Sequence, residues 1–169
     1  QAVLFLASTF AEKELKFTTS GLILLILILQ IVAIGGATLF AKISGKKGNK
    51  FSLIIMLFIW TIICIVGYFV QTGLDFYFLA VAVGLVMGGI QSLSRSTYAK
   101  LLPQDTPDTA SYFSFYDVMD KLSTVIGTFT FGFVEQITGG MRNSVMALAV
   151  FFILSLIVIS AVKIKRMQG

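Results

Sequence analysis

The 169-residue chain is 57% hydrophobic with a mean hydropathy of +0.94, and only 12% of its residues are charged. A soluble domain of this size has no need of charge-free runs of about 20 residues, so the composition points to helices embedded in a bilayer. The net charge of +5 does not indicate nucleic-acid binding, because the basic residues sit between apolar runs; with one Cys and no His, neither an internal disulfide nor a Cys/His metal site is available, and no cofactor is expected.

The first element is short. Residues 1–11 are apolar up to Glu12, with no preceding basic region that would suit a signal peptide. They read as the second half of a spanning helix, and the chain reads as a fragment. Five full spans follow, near residues 21–41, 51–70, 75–98, 112–136 and 143–162. The second, third and last of the six segments are uncharged over 21, 20 and 20 residues, enough to cross about 30 Å of hydrocarbon at about 1.5 Å per residue. The expected fold is all-α: one polytopic transmembrane helical bundle over residues 1–169, with about five full spans plus a truncated first helix.

The connectors are brief. Residues 41–50 read as a hairpin loop in which Gly45 and Gly48 permit tight turning. Pro103 and Pro107 flank a polar connector over residues 104–109, and Thr138, Gly139 and Gly140 separate the last two spans. Lys42, Lys46, Lys47, Lys50, Lys100, Lys163, Lys165 and Arg166 all fall on one side if the spans alternate. The positive-inside rule places that side, and the C-terminus, in the cytoplasm of a multi-pass membrane protein. Near the other end Glu135 is positioned to pair with Arg142 across the turn.

The candidate functional residues cluster on the fourth and fifth of the six segments, near residues 75–98 and 112–136. A run from Phe76 stays uncharged for 19 residues and then meets Arg95, with Gln91, Ser94 and Tyr98 on the same helical face. A cation inside a membrane helix is costly unless it faces protein or water, and it often marks a pathway. Gly84, Gly88 and Gly89 just upstream allow another helix to approach closely. On the next segment Tyr116, Asp120 and Thr124 share a face, with Asp117 and Lys121 an i,i+4 pair beside them. Because the two segments run antiparallel through a short connector, Arg95 can meet Asp117 or Asp120. Gln91, Ser94, Arg95 and Tyr116 are candidates for substrate binding or gating, Asp117, Asp120 and Lys121 for coupling or gating, and Gln30, midway along its span, for polar lining.

The stretch GGIQSLSRSTYAKLLP, followed by YFSFYDVMDKLSTVIGTFTFGFV, resembles the C-terminal half of a major facilitator superfamily transporter, in its vacuole-effluxer-like (UMF-type) branch. Residues 88–96 with Phe115, Tyr116 and Lys121 match the pattern at the junction of the tenth and eleventh helices of that branch. The resemblance implies two six-helix bundles around a central cavity, so a missing N-terminal half is the expected partner. Fungal relatives are associated with amino-acid export from the vacuole, and most bacterial relatives have no settled substrate. One departure stands out. In the superfamily's hairpin motif G-x-x-x-D-R-x-G-R-K, Ala41 takes the place of the first Gly and Gly45 that of the Asp, while Lys46, Gly48 and Lys50 fit.

The resulting expectation is a secondary transporter, not an enzyme, which moves a small polar solute, an amino acid if the analogy extends that far, through a bilayer that is most simply a bacterial cytoplasmic membrane. The alternative is a non-transporting assembly or scaffold subunit whose glycine-rich fourth span mediates oligomer contacts. Polar faces left open also make room for a homo-oligomer of the isolated half. A membrane enzyme is disfavoured by the absence of His and by acids confined to helix ends.

Overall fold

The computed structural model describes residues 2–103 and 108–162, and within them the secondary structure is entirely helical. Six helices run in order: α1 (Ala2–Lys13), α2 (Thr19–Lys47), α3 (Asn49–Phe69), α4 (Gly73–Leu101), α5 (Thr109–Thr138) and α6 (Met141–Ala161). Residues 104–107 of the expected polar connector, and the basic residues Lys163, Lys165 and Arg166, lie outside the described residues.

Local chemistry sets the helix ends. Thr18 caps α2 by accepting the Gly21 N–H at 3.3 Å. Thr72 caps α4 in the same way, accepting the Asp75 N–H at 3.2 Å while its hydroxyl donates to the Asp75 carboxylate at 2.6 Å. Gly139 ends α5 in the left-handed region, φ 69°, and its N–H closes on the Glu135 carbonyl at 2.9 Å.

The segment over residues 41–50 is not a loop. α2 continues helically through Lys47 and α3 begins at Asn49, so Gly48 alone makes the reversal, at φ 90° and ψ 156°. Gly45 lies inside α2 with open space around it. The run contains no proline and its lysines are good helix formers, so one residue free of a Cβ suffices for the turn.

Four helices, α2, α3, α4 and α6, are long and apolar enough to cross a membrane. By length and composition these are the helices of a multi-pass bundle. α5 has the length, at 30 residues, but Asp117, Asp120, Lys121 and Glu135 lower its hydropathy.

α3 is the helix most enclosed by its neighbours. Its buried Trp60 stacks on Phe152 of α6 with ring centroids 5.1 Å apart. α2 and α4 run parallel and make the closest helix contact. Beyond a single buried stripe, α2 presents Ile23, Leu27, Ile31 and Ile34 outward, as a helix solvated by lipid does. α5 buries only Phe131 among its described residues.

Candidate functional site

α4 ends and α5 begins on the same side of the bundle, and there the two helices touch through side chains. The Arg95 Nη2 lies 3.6 Å from Asp117 Oδ1. This is an ion-pair contact rather than a tight hydrogen bond. The Arg95 guanidinium also sits 5.6 Å from the centre of the Phe113 ring, so a carboxylate and an aromatic face hold it together. One turn further along α4, Tyr98 completes the junction. Its hydroxyl donates to the Tyr112 carbonyl at 2.9 Å, and its ring lies 5.0 Å from Tyr116 and 5.9 Å from Phe113.

Arg95 and Asp117 remain 58% and 56% exposed. Both sit inside their helices: Arg95 lies six residues before the end of α4 and Asp117 eight after the start of α5, or about 9 and 12 Å along the axis. Charges are costly in hydrocarbon, and both of these are more than half exposed on the surface of the bundle.

The remaining candidates surround this pair unevenly. Gln91 is exposed one turn before Arg95, and Ser94 is half-buried beside it. Asp120 is exposed, and its backbone carbonyl accepts the Thr124 hydroxyl at 2.9 Å. Lys121 is exposed on the Asp117 side of α5. Gln30 is exposed midway along α2, the helix packed against α4.

Gly84 and Gly88 occupy a different position from Arg95, although all three recur at helical spacing. A Cβ at Gly88 would overlap the Ala33 carbonyl of α2, and one at Gly84 would stand 2.8 Å from the Leu29 carbonyl oxygen. Gly89 faces Phe40 and the Met56 sulfur. α2 reciprocates with Gly36, whose Cβ would overlap the backbone of Leu85. Gly36 and Gly88 thus each let their helix meet the partner's backbone, at Leu85 and Ala33 respectively, whereas Gly35 faces open space.

Sequence reasoning missed Phe113 as the ring under Arg95. It also missed a polar hub at the α2–α3 elbow. Asn49 Oδ1 accepts from the Ser44 hydroxyl and, at 3.3 Å, from the Lys100 ammonium, while its Nδ2 donates to Thr97 Oγ1 at 2.9 Å. Ser44 and Thr97 are buried, so one amide satisfies polar groups from α2 and α4. Lys50 beside it donates to the Ser160 and Val162 carbonyls at the end of α6, at 2.9 and 2.6 Å.

At the opposite end the expected Glu135–Arg142 pair is replaced by two others. Glu135 meets Lys13 at 3.1 Å; Arg142 lies 3.6 Å from Glu14 and donates to the Tyr68 carbonyl at 2.9 Å. α1 docks beside α5 and brings its own charges closer than the turn does. Among the described residues no group of acidic, Cys or His side chains is arranged to hold a metal ion.

The chain matches the vacuole effluxer Atg22-like family over residues 1–168. It is similar to an uncharacterised MFS-type transporter of Bacillus subtilis, YxiO, with 30% identity over 155 residues, covering 92% of this chain and 36% of the relative. It is also similar to autophagy-related protein 22 of Kluyveromyces lactis, 29% identical over 173 residues, covering 95% of this chain and 34% of the relative. The Saccharomyces cerevisiae protein of that name is 28% identical over 171 residues, with 95% and 32% covered. The chain thus spans about a third of the length of these curated relatives. No solved structure matches it significantly.

Proposed function

The chain belongs to the vacuole effluxer Atg22-like family, and from that premise we propose that it forms one half of a secondary transporter that moves a small polar solute by alternating access. The observation that carries the proposal is the Arg95–Asp117 pair, more than half exposed on the flank of an otherwise apolar bundle. In the proposal a second six-helix half covers that flank, and the water-filled space between the halves receives the solute.

An amino acid is the solute class we put forward. A guanidinium offers paired donors to a carboxylate, and the nearby carboxylates of Asp117 and Asp120 suit an ammonium group. Asp117 releases Arg95 when a solute carboxylate takes its place, and the solute's arrival is thereby coupled to the contact between α4 and α5. Gln91, Ser94 and Tyr116 line the approach in this reading, Lys121 balances the acids, and Gln30 lines the neighbouring face of α2.

The orientation we favour puts the Arg95 end in the cytoplasm, most simply of a bacterial membrane, with the C-terminus on the same side. Lys42, Lys46, Lys47, Lys50 and Lys100 support it, since they gather where α2 and α4 end and α3 begins. The α4 glycines that the assembly-subunit reading assigns to an oligomer interface pack instead against α2 and, at Gly89, also against Met56 of α3 in the same chain, which favours the transport reading.

The test is reconstitution of the full-length protein in proteoliposomes, with counterflow of labelled amino acids. Counterflow that Arg95→Gln abolishes in a folded protein supports the proposal. Counterflow unchanged by both Arg95→Gln and Asp117→Asn would overturn the assignment of the site.

A further inference from the structure

The other flank of α4 carries a feature that the transport reading does not use. An apolar groove of about 500 Å3 runs between α3 and α4. Ile59, Ile62, Val66 and Phe69 line its α3 side, Phe78 and Ala82 its α4 side, and Asp75 stands at one end. At 3.6 residues per turn, Asp75, Phe78 and Ala82 lie roughly 100–160° around α4 from Arg95, so the groove faces away from the polar site.

Its dimensions match a lipid chain. From Ile59 to Phe69 the groove follows ten residues of helix, about 15 Å, which is the hydrocarbon depth of one leaflet in a bilayer about 30 Å thick. Phe69 and Phe78 at its edges are 69% and 78% exposed, as walls open to lipid are. Its floor can yield. Ile63 and Leu79 line both the groove and an interior apolar cavity of about 70 Å3 that residues of all six helices surround. These two side chains therefore have space behind them when an occupant presses in.

The polar end supplies the selectivity. Asp75 is exposed in the first turn of α4, where it accepts the Thr72 hydroxyl. Every other residue lining the groove is uncharged and apolar. A carboxylate at the mouth of an apolar channel attracts a cationic headgroup and repels an anionic one.

We propose that this groove holds one acyl chain of a phospholipid whose headgroup places a primary ammonium at Asp75. Native mass spectrometry of the protein in a lipid-preserving detergent tests it, with phosphatidylethanolamine and phosphatidylglycerol of identical chains as the probes. The expected result is a preference for phosphatidylethanolamine of roughly fivefold, the ratio that one charge contact at the headgroup level provides. Asp75→Asn keeps an oxygen for the Thr72 hydroxyl and brings the two lipids to parity, whereas Asp75→Glu retains the preference. Val66→Trp fills the groove and lowers retention of both; if it does not fold, Ala82→Leu serves the same purpose. Equal retention of the two lipids by the unsubstituted protein overturns the proposal, as does a preference that survives Asp75→Asn. A dimer that Val66→Trp dissociates also overturns it, by making the groove a contact between copies.

Discussion

Gly88 of α4 lies so close to Ala33 of α2 that any side chain there would overlap the Ala33 carbonyl oxygen. The two helices approach in this manner at two further points, with Gly84 against Leu29 and, from the other helix, Gly36 against Leu85. Lipid gives helices no hydrophobic reason to associate, so contacts of this closeness supply the dispersion that holds the pair. α2 and α4 are thus tightly packed on each other, and α4 carries Arg95.

Gly88→Ala and Gly36→Ala are expected to push the two backbones apart and destabilise the bundle by about 1–3 kcal/mol each. Gly35→Ala, with open space around position 35, is the matched control and should be close to neutral. Thermal melting in detergent, followed by circular dichroism, distinguishes the two cases.

The site pair should separate from stability. Arg95→Gln and Asp117→Asn remove an exposed contact and are expected to change stability by no more than about 1 kcal/mol. Transport by the full-length protein should fall by about tenfold or more, the equivalent of about 1.4 kcal/mol of lost interaction in the transported state. The exchange Arg95→Asp with Asp117→Arg restores part of the activity if the pair itself matters. Proteoliposome flux against melting temperature reads both axes.

Tyr98→Phe keeps the ring against Phe113 and Tyr116 and deletes only the hydrogen bond to the Tyr112 carbonyl. The expected cost is about 1 kcal/mol, concentrated where α4 meets α5. Spin labels at the end of α4 and the start of α5 should report a broader distance distribution in the variant. An unchanged distribution would show that Tyr98 does not hold the junction.

At the elbow, Asn49→Ala strips the Ser44 and Thr97 hydroxyls of a shared partner and frees Lys100. A loss of about 1–3 kcal/mol is expected, with faster amide exchange over the last turn of α2 and the first of α3. Gly48→Ala acts at the same place by another route. Its φ of 90° and ψ of 156° belong to a region essentially reserved for glycine, so about 1–3 kcal/mol of backbone strain is expected. Refolding yield and melting temperature measure both variants.

Cys64, 4% exposed within α3, should resist maleimide in the folded protein and label readily once the bundle is unfolded. Rapid labelling under native conditions would contradict the described core.

The amino-acid sequence by itself determined that this protein is a set of membrane helices, where most of them lie, and that Arg95 and the acids of α5 sit near one end of adjacent helices. Charge-free length is a one-dimensional property, and the cost of placing charge or free backbone in hydrocarbon enforces it. The Gly88 doublet and the polar run from Gln91 were legible for the same reason, as departures from an apolar background. What lay beyond reach was the rotation of each helix. In water an apolar stripe marks the buried face, but in a bilayer the lipid-facing side is equally apolar, so Ile31 outside and Leu29 inside look alike in α2. Only the tertiary structure decided that Gly36 packs on Leu85 of α4, that Arg95 takes Asp117 and Phe113, that Glu135 turns to Lys13 rather than Arg142, and that Gly48 alone reverses the chain between α2 and α3. Each of these depends on which side chains neighbouring helices bring within a few ångströms, and that is fixed by packing in three dimensions.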